Sequence, residues 1–464
     1  MKIKIAKTEI IHFVGVGGIG MSGLALIMKS MGFKVQGSDI FSNKNTDRLK
    51  KNNIKIFIGH NKRNIKRATI LVISSAIKGN NEEILVARKK QLPIYKRGEM
   101  LAHIVSLTKN IVVSGSHGKT TTTSLIECIF SKAKLDPTII NGGVLNSFNS
   151  SAKLGKSNWC ILESDESDGS FIKVPPTYSI ITNIDREHMD FYKSMDNLKK
   201  LFVEFIQKVP SFGKSFICID DKNNNEIIKK VRIKNFYTYG TNIKSQFLIK
   251  RVKQFQEYSI FDIEVKLPGK NKTKINNIKI PLLGFHNIRN ATAALAVSIT
   301  IGISKKTIKE GLKEFKGVQR RFNKIFTYRD IPFFDDYAHH PTEIKEVLNG
   351  VKKVYRKHEI FCVFQPHRIS RVKDLKKEFS FSFKNSDCVI LCPIYSAGEK
   401  SKLGFSYLNF SKEIMKNSKT KVYLVNDQYE LGKFIKQNAY GKKIFIGMGA
   451  GSISNWIKQL PKLL

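Results

Sequence analysis

Acidic residues are scarce in this chain: 38 Asp and Glu stand against 80 Lys and Arg, a formal net charge of +42 over 464 residues. Such an imbalance raises nucleic-acid binding as a class. The lysines, however, are spread along the whole length beside abundant Asn, Ile and Phe, and no basic arm stands out. That pattern is a compositional bias toward A/T-rich codons, so no nucleic-acid partner is expected, although the positive field draws anionic substrates. Cysteine is also sparse. Cys128, Cys160, Cys218, Cys362, Cys388 and Cys392 are scattered, mostly in apolar runs, which excludes a disulfide framework and fits reduced, buried thiols. Cys388 and Cys392 fall within one short apolar segment that reads as a core strand, not a metal site. Long uninterrupted hydrophobic runs are missing too. Ile10–Met28, preceded by Lys2 and Lys4, imitates a signal peptide, but Gly15, Gly17, Gly18, Gly20 and Gly23 interrupt it and no Ala-x-Ala signal follows. We therefore expect no membrane insertion and a cytoplasmic location. Fixed short repeats and low-complexity tails are absent. The length exceeds one ordinary core and implies two to three domains.

What is present centres on Gly115-Ser116-His117-Gly118-Lys119-Thr120-Thr121. The apolar stretch Asn110–Ser114 before it reads as a buried strand, and Ser124–Phe130 after it has helical periodicity. Strand, glycine turn, lysine and hydroxyl at a helix start make a phosphate cradle. Backbone N–H groups and the helix N-terminus face the phosphate, Lys119 reaches the β- and γ-phosphates, and the Thr120 hydroxyl ligates Mg²⁺. The match is G-x-x-G-K-T, because Val113 stands where the usual P-loop has its first glycine. ATP is the expected ligand.

Upstream, Ile10–Val14 reads as a strand, Gly15–Gly20 as a turn, Met21–Met31 as a helix and Phe33–Gly37 as the next strand, ending at Ser38-Asp39. Gly15-x-Gly17-x-x-Gly20 with an acid about twenty residues on is the dinucleotide fingerprint. Alone it suggests an NAD-dependent oxidoreductase. Its physics is less selective: the turn holds any diphosphate, and Asp39 meets any ribose. Further strands are expected at Ile70–Ser74 and Ile94–Tyr95. Ser74 and Ser75 then stand at a strand C-terminus, where doubly wound sheets bind ligands.

Downstream of the P-loop, the strand Trp159–Leu162 runs into Glu163-Ser164-Asp165-Glu166-Ser167-Asp168. Glu163, first past the strand, is the expected Mg²⁺ carboxylate, while the other acids are equally compatible with a solvated, N-capping turn. Another strand, Tyr178–Asn183, leads to Asp185–Asp190, where His188 is a candidate ligand for a second Mg²⁺ or a structural histidine. Between Asp221 and Lys279 the chain is Lys/Asn-rich, with Phe236–Tyr239 and Tyr258–Val265 expected as β-hairpins. Asn287 and Asn290 share a face of the helix that runs to Ile299, where they can bond a nucleotide or simply cap. Gln319-Arg320-Arg321-Phe322 reads as a hinge bearing an arginine for the γ-phosphate. The strand Ile331–Phe334 opens a third domain and precedes Asp335-Asp336-Tyr337-Ala338-His339-His340-Pro341-Thr342-Glu343. The strand Ile360–Phe364 precedes Gln365-Pro366-His367-Arg368-Ile369-Ser370-Arg371, whose arginine pair suits a carboxylate or phosphate.

Together, in this order across nearly the whole chain, these motifs and His12–Gly23 resemble the Mur ligase family. The resemblance implies an α/β fold of three domains: a Rossmann-like UDP-sugar domain (1–108), a P-loop ATPase domain with a parallel-sheet core (109–317) and a C-terminal Rossmann-like domain (318–464). Its glycine turn is most similar to the branch that joins L-alanine to UDP-N-acetylmuramate with ATP and Mg²⁺ during cytoplasmic peptidoglycan synthesis. The nearest alternative is the recycling branch, which adds a preformed tripeptide to the same sugar. The resemblance assigns nucleotide contacts to Gly115, Ser116, His117, Gly118, Lys119, Thr120, Thr121, Asn287, Asn290 and Arg321, and the metal to Thr120, Glu163 and His188. It places Gly17, Gly18, Ile19, Gly20, Asp39, Ser74, Ser75 and His117 by the UDP-sugar. His339, Arg368 and Arg371 face the amino acid, and Lys119, Glu163, His188, Arg321 and Asp336 form the catalytic set. The implied chemistry is attack of the muramyl carboxylate on the γ-phosphate, then attack of the amine on the acyl phosphate, in a monomer or homodimer. Asn80-Asn81-Glu82 stands where the family commonly reads Asn-Pro-Glu, and Arg97-Gly98-Glu99 where it reads Arg-Ala-Glu; both concern the sugar side.

Overall fold

A computed structural model describes residues 8–74, 76–106, 108–147, 149–399 and 406–464. Three sheets carry the chain. The first contains β1 (Ile10–Val14), β2 (Lys34–Asp39), β3 (Lys55–Ile58), β4 (Ile70–Ile73) and β5 (Ile94–Lys96) in the order β3-β2-β1-β4-β5, all parallel. The order reverses between β1 and β4, the switch point at which doubly wound sheets bind ligands. β1 is almost wholly buried, as a strand covered on both faces must be.

The second sheet has ten strands. They are β6 (Lys109–Ser114), β7 (Thr138–Leu145), β8 (Ser150–Lys153), β9 (Trp159–Glu163), β10 (Tyr178–Ile181), β11 (Lys214–Cys218), β12 (Phe236–Gly240), β13 (Phe247–Gln254), β14 (Ser259–Val265) and β15 (Thr273–Ile280). β6 lies between β9 and β10 and runs parallel to both. The loops leaving these three strands therefore emerge side by side. The expected hairpin at Phe236–Tyr239 is instead β12, a parallel strand paired with β11 and β13. The Lys/Asn-rich composition conceals its buried face, which carries the buried Tyr239 and on which Tyr237 meets Phe216 and Phe247 of the neighbouring strands. Phe171 packs its ring against Phe202 and Phe205 at 4.9 and 5.2 Å, anchoring the end of the loop that begins at Glu163. Each such buried ring contributes roughly 1.5–3 kcal/mol. The first two sheets belong to one compact unit, in which the helix Ile19–Ser30 packs on β7 and β8.

The third sheet belongs to a second compact unit. Its strands are β16 (Asn323–Tyr328), β17 (Ile331–Asp336), β18 (Glu359–Phe364), β19 (Cys388–Leu391), β20 (Lys421–Leu424) and β21 (Lys443–Met448), ordered β16-β17-β21-β18-β19-β20. Only β16 is antiparallel, and the sequence reading missed it. β17 also runs two residues beyond the expected Phe334: Asp335 and Asp336 stay in register with Gly447 and Met448 of β21. The acid–histidine loop is thus shorter than expected. Among the described residues, no helix is long and apolar enough to cross a membrane.

A buried carboxylate ties the first sheet together. Glu83 is fully buried; its Oε2 accepts from Ser38 Oγ at 2.6 Å and meets His12 Nε2 at 3.3 Å, and its Oε1 accepts from Asn64 Nδ2 at 2.6 Å and Asn61 N at 3.2 Å. Burial pushes this carboxyl up, but His12 and the hydrogen bonds from Ser38 and Asn64 outweigh it and hold it at about 2, below an ordinary 4.5. A group depressed in the folded state stabilises fully above its unfolded pKa and loses that contribution as pH falls toward the folded one. Equilibrium denaturation of the wild type should lose on the order of 3 kcal/mol between pH 4.5 and 2 from this group, and Glu83→Gln should lack that component of the slope. Identical pH profiles for the two proteins would refute it.

Candidate active site

The helix Lys119–Lys132 begins at Gly118, whose φ of 83° is left-handed; Gly115 also sits at positive φ, 123°. A side chain at Gly115 would collide with Thr182 Oγ1 and come within 2.8 Å of the Asn183 carbonyl oxygen, whereas one at Gly118 would meet the Asn290 amide at 2.6 Å. The segment leaving β10 laces this loop in place. Ser116 N donates to Asn183 O at 2.9 Å, His117 N to Asn183 Oδ1 at 2.9 Å, and Thr182 Oγ1 to His117 O at 2.7 Å. Asp185 N donates to Ser116 Oγ at 2.8 Å, and its carboxylate meets His117 Nε2 at 3.0 Å.

Two carboxylates, Glu163 at the end of β9 and Glu166 in the loop after it, then divide the P-loop between them. Glu163 Oε2 accepts from Thr120 Oγ1 at 2.8 Å and from Gly142 N at 2.8 Å. Glu166 Oε2 accepts from Lys119 Nζ at 2.7 Å, and the same ammonium donates to Gly115 O at 2.6 Å and Ser116 O at 3.0 Å. Three acceptors around one nitrogen require three N–H donors, so Lys119 is the charged form. Burial opposes that charge, but Glu166, Asp165 and Glu163 raise the lysine above its ordinary value. Burial, with Asp165 and Glu187 nearby, also pushes Glu166 up, against the pull of Lys119. The remaining acids cap: Asp165 accepts from Ser167 N at 3.2 Å and Asp168 from Ser170 N at 3.0 Å. The sequence reading singled out Glu163 and passed over Glu166. The detectable signal was a second Glu three residues on, in a run otherwise made of capping residues.

Mg²⁺ selects hard oxygen donors. The Thr120 hydroxyl and Glu163 carboxylate are such a pair, brought together at the helix start, and they fit the ion. His188, left-handed at φ 56°, places a ring nitrogen within 4.8 Å of carboxylate oxygens of Asp165 and Glu166. Thr121 is buried in the same helix as Lys119.

On the first sheet, Gly17, Gly18, Ile19, Gly20, Asp39 and Ser74 gather at the C-terminal edge, with Ile19 and Gly20 opening the helix and Gly18 capping it. Asp39 Oδ2 accepts from Gly17 N at 2.7 Å, so the expected ribose acid braces the glycine turn itself. Ser75 lies outside the described residues.

In the second unit, Asp336 is the buried last residue of β17, accepting from Ala338 N at 2.7 Å and Phe322 N at 2.8 Å. Burial raises it to about 6 despite Arg321 nearby. Both oxygens are thus engaged by backbone, and the residue acts as a brace for the Arg320–Phe322 turn. The Arg321 guanidinium lies 5.4 Å from the Tyr337 ring centroid. His339 packs edge-on to His367 at 5.6 Å, and His367 stacks on Tyr395 at 5.6 Å. Burial, with His339, Arg371 and Arg368 around it, lowers His367 to about 4, so the imidazole is neutral near pH 7. Arg371 Nη1 lies 3.3 Å from His367 Nδ1, and Arg368 is held at φ 67° with its Nε 3.7 Å from Glu399. Asn287 donates to Leu283 O at 2.7 Å, a helix-start bond.

A glycine-laced phosphate loop with a hydroxyl–carboxylate pair, between β9 and β10, defines a P-loop ATP-using enzyme. The chain belongs to the Mur ligase family. Three family models match in succession: "Mur ligase family, catalytic domain" over residues 10–109, "Mur ligase middle domain" over 113–298 and "Mur ligase, glutamate ligase domain" over 320–451. The UDP-N-acetylmuramate–L-alanine ligase of Pelagibacter ubique is 71% identical, covering 100% of both chains, and that of Rickettsia bellii is 42% identical, covering 98% of this chain and 96% of its own. Among solved structures, the UDP-N-acetylmuramate-alanine ligase of Thermotoga maritima superposes with a TM-score of 0.80 at 28% identity, covering 97% of this chain and 98% of that one. A murein peptide ligase from Psychrobacter arcticus shares the fold with a TM-score of 0.70 at 22% identity, covering 98% of each chain. The three-domain α/β fold and the class of ATP-dependent, amide-forming ligase follow.

The two P-loop glycines should respond unequally to alanine. At Gly118 the obstruction is a side chain that can rotate, and Gly118→Ala should cost about 1–2 kcal/mol, chiefly from the left-handed backbone. At Gly115 backbone blocks the space, and Gly115→Ala should cost more and abolish nucleotide binding. Chemical denaturation and nucleotide titration of both variants check this order; equal, small effects would contradict it.

Proposed function

We propose that this protein joins L-alanine to the muramyl carboxylate of UDP-N-acetylmuramate, driven by ATP, as a cytoplasmic step of peptidoglycan precursor synthesis. The observation that carries the geometry is the Thr120–Glu163 pair beside the buried Lys119 ammonium. The relatives named above support the substrates. In this reading the Gly115–Thr121 loop holds the triphosphate through backbone N–H groups and the helix N-terminus, and Asn287 and Asn290 contact the nucleotide. Thr120 and Glu163 would hold one Mg²⁺ and His188 would support a second, and bound Mg²⁺ would screen charge between phosphate oxygens and an incoming carboxylate. Lys119 adds a fixed positive charge where the γ-phosphate meets the muramyl carboxylate. The carboxylate oxygen bonds to γ-phosphorus as the bond to ADP breaks. The alanine amine then bonds to the acyl carbon, and inorganic phosphate leaves. Gly17, Gly18, Ile19, Gly20, Asp39 and Ser74 form the UDP-sugar end, with His117 turned toward the muramyl group. Arg368 and Arg371 bind the amino-acid carboxylate beside His339, and Asp336 positions Arg321 for the phosphates.

Phosphate release from ATP tests the proposal directly. It should require both UDP-N-acetylmuramate and L-alanine, vanish on chelation of Mg²⁺ with EDTA, and fall about 10³-fold in kcat for Lys119→Ala. Release that ignores alanine but responds to a preformed tripeptide would transfer the assignment to the recycling reaction.

A further inference from the structure

The Lys119 ammonium is fully engaged by the protein. All three of its N–H donors are taken by the protein: the carbonyls of Gly115 and Ser116, and Glu166 Oε2. Its partner is rigid as well as close. Glu166 is 1% exposed, and its backbone carbonyl accepts from both Gly169 N and the buried Tyr192 hydroxyl. Its second oxygen, Oε1, is buried with no hydrogen-bond partner among the described residues. A carboxylate built this way has one engaged oxygen, one bare oxygen and a fixed main chain.

We propose that Glu166 is a positioning residue that parks the P-loop lysine and competes with the nucleotide for it, so that ATP binding includes transfer of one Lys119 N–H from Glu166 to a phosphate oxygen. The transfer breaks one charge-assisted hydrogen bond and makes another, with no change in proton count. While no nucleotide is bound, the ion pair keeps a buried ammonium from lying unpaired and holds Gly115–Ser116 in the phosphate-binding shape. Glu163 performs a different task on the same loop, because it faces Thr120 and never touches Lys119 Nζ. The idea rests on the P-loop reading above and extends it to a residue that reading leaves idle.

Calorimetric titration of the full-length protein with a non-hydrolysable ATP analogue tests this, in EDTA and again with Mg²⁺. Glu166→Gln keeps the shape and weakens the grip on Lys119, so the analogue should bind about tenfold more tightly in both conditions, with KM for ATP falling in parallel. Asp165→Asn removes a neighbouring charge that makes no hydrogen bond to Lys119 and should tighten binding less than about threefold. Tyr192→Phe keeps every charge but removes one of the two donors to the Glu166 carbonyl, and should move affinity in the same direction by a smaller factor; it also serves if Glu166→Gln does not fold. Unchanged or weaker binding in Glu166→Gln, weakening seen only with Mg²⁺, or an equal gain in Asp165→Asn would each overturn the proposal. Absence of binding by the wild type would instead sink the P-loop reading on which it depends.

Discussion

A buried ammonium needs three acceptors, and the architecture around Lys119 exists to supply them. Two are carbonyls of the loop's own turn, which can face inward only because Gly115 and Gly118 adopt left-handed backbone. The third arrives from β9, placed next to β6 by the strand order. β10, on the other flank, lends Thr182 and Asn183 to hold the loop's outer edge. Shifting β9 by one residue would turn its side chains to the opposite face and displace the loop that supplies Glu166. The Gly115–Thr121 loop therefore depends on three adjacent strand ends as much as on its own motif.

The same logic, in milder form, shapes the glycine turn of the first sheet. The glycine turn after β1 is braced by Asp39 from the end of β2, and the fully buried Glu83 joins His12, Ser38 and Asn64 beneath it. A buried carboxylate is stable only with such a set of partners. Here the set spans β1, β2 and the segment after β3, so the charge locks the register of strands whose ends hold the turn.

Charge in the second unit is handled by neutralisation and bracing. His367 is kept neutral between His339 and Tyr395, with Arg371 beside it, and Asp336 spends both oxygens on backbone donors. Arg368 meets Glu399 at 3.7 Å, and Arg320 meets Asp335 at 3.8 Å.

Local patterns alone determined much of this. Strand-turn-helix at Ile10–Ser30 and at Lys109–Lys132 was legible because apolar periodicity and glycine spacing are properties of neighbouring residues. Glu163 was legible for the same reason, as the first acid after the apolar run Trp159–Leu162, although the structure makes it the last residue of β9. Other features were set by contacts distant in sequence. Nothing near Glu166 announces Lys119, 47 residues away, and the run of acids around it reads equally as caps, which Asp165 and Asp168 are. β12 was mistaken for a hairpin arm because pairing partners are chosen by the sheet. Asp336 passed for a loop acid because its burial depends on β21. Sequence by itself determined the phosphate motif, the order of domains and the family. The tertiary structure decided which acid faces Thr120 and which faces Lys119, because that choice depends on β9 pairing beside β6, a contact between residues far apart in sequence.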